Sequence, residues 1–242
     1  MTGGFWAIHA GLHREGPGTE ADVAWVCAAA GVQRNAALCD AACGPGADIA
    51  ALRAAAPDGT VTAFDRHLPF VGEAARRHRR DERVTVTQGT LVGPDEALPD
   101  PVDLGPFDLV WCAGAAYFVG VPAILGRWSA ALRPVGAVAF SEPVTFGTPD
   151  RETRAFWQSD VHDEASLDAA IHAAGWGVVA RSRVSDAGWE AYYGGIEERC
   201  DALARCAAPA IRQAVEAERR EIAAWRRLRD RVGYALRVVR PL

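Results

Sequence analysis

At 242 residues the chain has room for one α/β domain with a full hydrophobic core, and a second independent domain is not expected. Half of its residues are hydrophobic and 24% are charged, which excludes disorder. The formal net charge of -5 lacks the surplus of clustered cations that nucleic acid or an anionic membrane surface requires, so neither partner is expected. All 26 basic residues are Arg; the one dense run, Arg76-Arg-His-Arg-Arg80, is followed by Asp81 and Glu82 and reads as the cationic end of a helix. The six Cys (27, 39, 43, 112, 200 and 206) form no Cys-x-x-Cys pair and no zinc-type array, so no metal site is expected. With no leader-like N-terminal segment and no apolar stretch of spanning length, the expected location is the cytoplasm.

Along the chain, Thr19 is placed to cap a helix over roughly 20 to 30, with Asp22 in its first turn. Ala36-Ala-Leu-Cys-Asp40 is a short apolar run ending in an acid, as a buried parallel strand should read. A helix over about 47 to 56 stops at Pro57-Asp-Gly59, and Thr60 to Asp65 is a second strand ending in an acid. A helix near 70 to 80 and a strand over 83 to 88 follow, and Gly93 to Phe107 reads as a surface loop. Then come a strand over 107 to 112, a helix over 121 to 132 and a strand over 135 to 140. This alternation implies a doubly wound, mostly parallel sheet. The last third has a helix near 163 to 174, a strand near 176 to 184, helices near 186 to 206 and 209 to 230, and a terminal strand over 234 to 239. In the 209 to 230 helix, Ile211, Val215, Ile222 and Leu228 form an apolar stripe, either a dimer face or a surface docked on the parent domain. A monomer or homodimer is expected.

Gly44 and Gly46 follow a strand and open a helix, where a backbone turns tightly against a ligand. A dinucleotide fingerprint counted from Gly44 would need glycine where Ile49 stands, which disfavours a nicotinamide-dependent reductase. Asp65, nineteen residues beyond Gly46 at the next strand end, can accept both hydroxyls of a ribose. Asp40 can orient the loop or hold the amino group of an amino-acid tail. Both are otherwise read as strand-end polar residues.

With these features the chain resembles the class I S-adenosylmethionine (SAM)-dependent methyltransferases. Asp40-Ala-Ala-Cys-Gly-Pro-Gly46 is similar to their first motif, Asp65 to their ribose acid, Phe107-Asp-Leu-Val-Trp111 to their fourth-strand motif and Leu132-Arg-Pro-Val-Gly136 to their approach to the fifth strand. More narrowly it resembles a group of small bacterial methyltransferases of mostly unassigned substrate. The shared features are Arg14-Glu-Gly-Pro-Gly18, a Gly-Ala-x-Tyr-x-x-Gly segment at 114 to 120, Phe156-Trp157, and Trp-x-x-Tyr-Tyr at 189 to 193. The resemblance implies a seven-stranded Rossmann-like sheet with an antiparallel last strand and a helical insertion between strands 6 and 7. It implies one domain over 1–242: a cap segment at 1–30, a SAM-binding core at 36–142, and a helical lid at 186–230. It implies SAM as cofactor and S-adenosylhomocysteine as product. The residues it assigns to cofactor binding are Asp40, Cys43, Gly44, Gly46, Asp65, Arg66, Thr90, Leu91 and Cys112. Three positions depart from the family: Ala42 and Ala113 stand where Gly and Glu are usual, and Thr90 where Asp commonly receives the adenine amino group. A Cβ at 42 costs little where φ is negative.

Methyl transfer from a sulfonium is an in-line displacement that needs alignment and exclusion of water, and a base where the acceptor is a hydroxyl or a protonated amine. The candidate catalytic groups are His13, Glu142 and Tyr117, with His9 also considered as a base. Arg14, Trp157, Trp189 and Tyr193 are the expected pocket residues for a small-molecule acceptor, with Trp6 and Tyr192 in the same aromatic set. The expected function is small-molecule methylation on O, N or C. The alternative is a degenerate member that binds SAM or a related ligand without methyl transfer.

Overall fold

The computed structural model describes residues 3–93, 98–205 and 208–242. Part of the loop expected at 93 to 107, and Cys206 at the end of the helix expected at 186 to 206, lie outside the described residues.

The expected alternation is present. It runs α1 (Gly3–His9), α2 (Glu20–Ala29), β1 (Ala37–Ala41), α3 (Ile49–Ala55), β2 (Thr60–Asp65), α4 (Leu68–His78) and β3 (Val84–Gln88). It continues α5 (Pro101–Leu104), β4 (Phe107–Cys112), α6 (Val121–Trp128), β5 (Leu132–Thr145), α7 (Arg151–Trp157) and β6 (His162–Asp163). The chain then forms α8 (Glu164–Ala173), β7 (Trp176–Arg183), α9 (Asp186–Leu203), α10 (Pro209–Leu228) and β8 (Val232–Pro241). Thr19 caps α2 as expected, in a reciprocal capping box with Asp22.

The main sheet runs β3-β2-β1-β4-β5-β8-β7, with β6 a two-residue addition beside β5. Its pairs are parallel except for β8, which lies antiparallel between β5 and β7. The seven long strands and the antiparallel last one agree with the expected fold class, and α9 and α10 fill the connection between β7 and β8. Side chains alternate across the sheet: Leu38, Leu109 and Trp111 pack on the face of α2, α3 and α10, and Cys39, Val110 and Cys112 on that of α6 and α8. On the apolar stripe of α10, Val215, Ile222, Trp225 and Leu228 are buried within the molecule, so docking on the parent domain accounts for it. Arg237 of β8 is buried and donates to Asp168 of α8 at 2.6 Å, supplying the pairing a buried guanidinium requires.

The N-terminal helix α1 was not expected from its Gly-rich sequence. Gly4 allows close packing on α10, since a Cβ there would lie 2.5 Å from the Ala210 carbonyl oxygen. Arg199 of α9 donates to the Ala7 and Ile8 carbonyls at 2.7 and 3.2 Å, which caps the end of α1. Tertiary contact, rather than local propensity, thus makes this helix. No helix among the described residues is long and apolar enough to cross a membrane.

Candidate functional site

In the sheet order the strands after β1 run one way and β4 and β5 the other, so a crevice opens between β1 and β4 at their carboxyl ends. Asp40 sits beside Trp111 in that pairing. It is 2% exposed, and its Oδ2 has no hydrogen-bond partner among the described residues. Burial, then the neighbouring charge of Asp48, pushes its carboxyl well above the usual range.

From Asp40 the chain turns over Ala42, Cys43, Gly44 and Gly46. Gly44 and Gly46 hold φ of 52° and 84°. At Gly46 a Cβ would lie 2.9 Å from that of Ala74 on α4, so glycine also permits the close approach of loop and helix. Ala42 holds φ 57°, so the negative φ at which its Cβ would cost little is not met: the left-handed region makes alanine strained here, where a glycine would not be. Cys43 is half-buried with its thiol donating to the Gly44 carbonyl at 3.5 Å. Asp65 Oδ2 accepts the Gly44 N–H at 2.9 Å and Oδ1 accepts the His67 N–H at 2.8 Å, which leaves each oxygen a further lone pair. Burial raises its pKa against these backbone donors.

Beyond β3, Gly89 donates to the Asp65 carbonyl at 3.1 Å and Thr90 to the Pro99 carbonyl at 3.0 Å. The Leu91 carbonyl accepts the buried Trp128 indole N–H at 2.7 Å. This pins a short strap carrying the half-buried Thr90 and buried Leu91 beside the end of β2. Arg66 is exposed, and its carbonyl accepts from Gln88 at 3.0 Å. Cys112 closes β4 fully buried, and burial raises its thiol pKa.

The N-terminal segment crosses over this loop. Two of its expected roles are corrected by where the side chains go. Arg14 forms an ion pair with Asp48, whose other oxygen accepts the Trp111 indole N–H at 2.8 Å. It therefore ties the segment to the start of α3, with Asp48 rather than a ligand as its counter-ion. His13 is exposed, with Nδ1 3.2 Å from Arg77, and burial together with that cation lowers its pKa. No contact brings it to Glu142 or Tyr117 among the described residues. The histidine that faces inward is His9, 3% exposed and stacked on Phe5. Desolvation opposes its charge, but Glu15 at 2.6 Å and Glu218 at 3.6 Å outweigh that and raise its pKa to about 9.

On the other side of the crevice, Glu142 lies on β5 past the Cys112 and Phe140 pair. It is 6% exposed, Oε2 has no partner among the described residues, and burial pushes its carboxyl up to about 8. Tyr117, from the turn after β4, is 41% exposed, yet desolvation raises its phenol to about 12. Surface that water reaches but poorly solvates belongs to a recess. Glu221 of α10 has the same character, being exposed while desolvation raises its pKa.

Trp189 and Tyr193 do not line this recess with their rings. Trp189 stacks on Trp225 at 5.4 Å, and Tyr193 packs against the same indole; both are buried. Only the Tyr193 hydroxyl reaches out, donating to Glu221 Oε1 at 3.1 Å. Trp157 is half-buried, stacks on Tyr234 at 5.8 Å and donates to the Val144 carbonyl at 3.3 Å, forming a wall behind that tyrosine. Glu15, Glu218, Glu221 and Tyr234 were missed as site residues. Glu218 could have been found: it occupies the slot three residues after Val215 and four before Ile222 in the apolar stripe of α10, where a carboxylate is out of place.

The methyltransferase domain family matches residues 38–136. The nocamycin O-methyltransferase of Saccharothrix syringae is 34% identical over 109 residues, 44% of this chain and 38% of that protein. The chain thus spans well under half the length of that curated relative. A SAM-dependent methyltransferase from Geobacter sulfurreducens, in complex with S-adenosylhomocysteine, superposes with a TM-score of 0.82 at 19% identity, covering 100% of this chain and 99% of the other. Another from Thiobacillus denitrificans, with the same ligand, gives 0.79 at 19% identity with the same coverage. The sheet order, with its antiparallel last strand, is that of the class I SAM-dependent methyltransferase fold, and residues 38–136 match the methyltransferase domain family.

Proposed function

We propose that the protein is a SAM-dependent methyltransferase acting on a small-molecule acceptor. The observation that carries this reading is the pairing of a buried and a half-buried carboxylate with one glycine loop: Asp40 offers an unpartnered oxygen, and Asp65 keeps spare lone pairs after fixing the loop. These groups fit the cofactor's amino group and ribose diol, whose N–H and O–H donors would satisfy them. Thr90 and Leu91 would flank the adenine, and Cys43 and Cys112 the methionine portion. When bound, SAM supplies an electrophilic methyl group on a sulfonium.

The chain's own residues then align the acceptor and exclude water. Glu142 holds the proton-accepting position, its pKa of about 8 close to working pH, as a general base needs. Tyr117 flanks it from the turn after β4. We read α1, α9 and α10 together as the cover of the recess: Trp6 stacks on His67 at 4.1 Å beside the end of β2, and α10 brings Glu218 and Glu221 to the acceptor side. The five described cysteines are free thiols, which fits a reducing, cytoplasmic setting.

A crystal structure with S-adenosylhomocysteine, paired with turnover of methyl-labelled SAM over an acceptor panel, tests the reading. The expected complex has the ribose hydroxyls on Asp65 and the vacant methyl position toward Glu142 and Tyr117. Ligand elsewhere, or a complex without turnover of any acceptor, would overturn the site or the activity respectively.

A further inference from the structure

All four tyrosines of this tyrosine-poor chain gather on the acceptor side of the recess. Tyr192 and Tyr193 adjoin at 5.3 Å, and Tyr117 lies beside Tyr234. Four carboxylates face the same group of rings. Glu142 and Glu221 both act electrostatically on Tyr117, and Glu15 and Glu218 act on Tyr192. Among the described residues the cation paired with these carboxylates is His9, held by Glu15 and Glu218. The His9 charge also reaches Glu221, which leaves Glu142 without a cation. Glu142 is also nine-tenths buried, with an oxygen that has no partner.

A buried carboxylate without a cation is costly and keeps its proton until a ligand supplies the missing charge. SAM brings one net positive charge, which the unpartnered Asp40 and the recess share. A neutral acceptor would leave a negative surplus, and an anionic one would add to it. Tyrosine rings near these carboxylates favour a cation further.

We propose that the acceptor is a primary or secondary amine, bound as its cation by Glu142 and Glu221 among the Tyr117 and Tyr192 rings, and that the methyl group is transferred to nitrogen. This rests on the methyltransferase reading above. The bound ammonium gives one proton to the Glu142 carboxylate. The freed nitrogen lone pair forms the N–CH3 bond while the S–CH3 bond of the sulfonium breaks, its electron pair remaining on sulfur. The products are a methylated ammonium, a thioether and a protonated Glu142 that returns its proton to water.

The test uses the full chain loaded with S-adenosylhomocysteine and two matched probe sets: benzylamine, benzyl alcohol and benzoate; and phenethylamine, 2-phenylethanol and phenylacetate. Affinities are read by ligand-observed NMR titration. The expected result is an amine bound at least about tenfold more tightly than its matched alcohol, with the carboxylate weakest. Glu221→Gln should lose about tenfold in amine affinity with S-adenosylhomocysteine affinity unchanged, and Glu221→Asp should keep the amine preference. Amines bound no better than alcohols in both sets, or an amine preference untouched in a Glu221→Gln protein that still binds S-adenosylhomocysteine, overturns the assignment while leaving the methyltransferase reading intact. Failure of the wild-type chain to take up S-adenosylhomocysteine overturns both. Should Glu221→Gln itself fail to load, the wild-type comparison decides.

Discussion

Replacing Glu142 by Gln removes the group for which burial and ionisation are most directly opposed. In the unfolded chain its carboxyl ionises near 4.5, and in the folded protein burial holds the proton to about 8. Between those pH values the folded state binds more protons than the unfolded state, so stability falls as pH rises through the window and levels above it. The full differential is on the order of 5 kcal/mol, an upper bound because water in the recess relaxes around the charge. About 2 kcal/mol is expected, which for a chain of this size is roughly 4–8 °C in Tm. Gln has no charge to desolvate, so thermal melts of Glu142→Gln and wild type should differ little at pH 5 and diverge by that amount at pH 9, the variant being the more stable. The same variant should lose about a hundredfold in turnover, as removal of a general base does. A Tm difference independent of pH would refute the burial argument.

Three further outcomes follow from single positions. Ala42→Gly relieves a left-handed alanine worth roughly 1–2 kcal/mol but adds backbone entropy to the unfolded chain, so a net gain of about 0.5 kcal/mol in denaturant unfolding is expected; destabilisation would contradict it. Thr90→Asp places a carboxylate where the adenine amino group is expected, and calorimetry should show about tenfold tighter binding of S-adenosylhomocysteine; equal or weaker binding would show the adenine pocket to be misplaced. Arg14→Met strands Asp48, which is buried against Trp111, and should cost about 3 kcal/mol by chemical unfolding; a change below about 0.5 kcal/mol would mean that the pair is only a surface contact.

Much of the sheet was legible because its signals are local. β2 and β4 begin and end where apolar runs ending in Asp65 and Cys112 place them, and Thr19 caps α2 through its own side chain. Where tertiary contact decides, the sequence said less. α1 depends on Gly4 against α10 and on Arg199 for its cap. β5 runs on to Thr145 through Pro143, since at that point β4 has ended and β8 still pairs with it. The cofactor side of the site was readable from the loop and the two strand-end acids. The acceptor side was not. Arg14 and His13 are polar residues near the right segment, and only the fold shows that Asp48 and Arg77 hold them. Trp189 and Tyr193 are aromatic in the right helix, but Trp225 takes their rings into the core. Glu218 was signalled only by its place in the apolar stripe of α10 and Glu221 by nothing, and it is α1 and α9 packing against that helix that sets both beside the recess.

Isothermal titration of the full chain with S-adenosylhomocysteine tests the central claim most directly, since every proposed role depends on the loop between Asp40 and Gly46 receiving that ligand with Asp65 on its ribose. Binding of one ligand per chain, weakened about tenfold or more by Asp65→Asn, is the predicted result. No binding by the folded wild-type protein, or binding indifferent to Asp65→Asn, would contradict it.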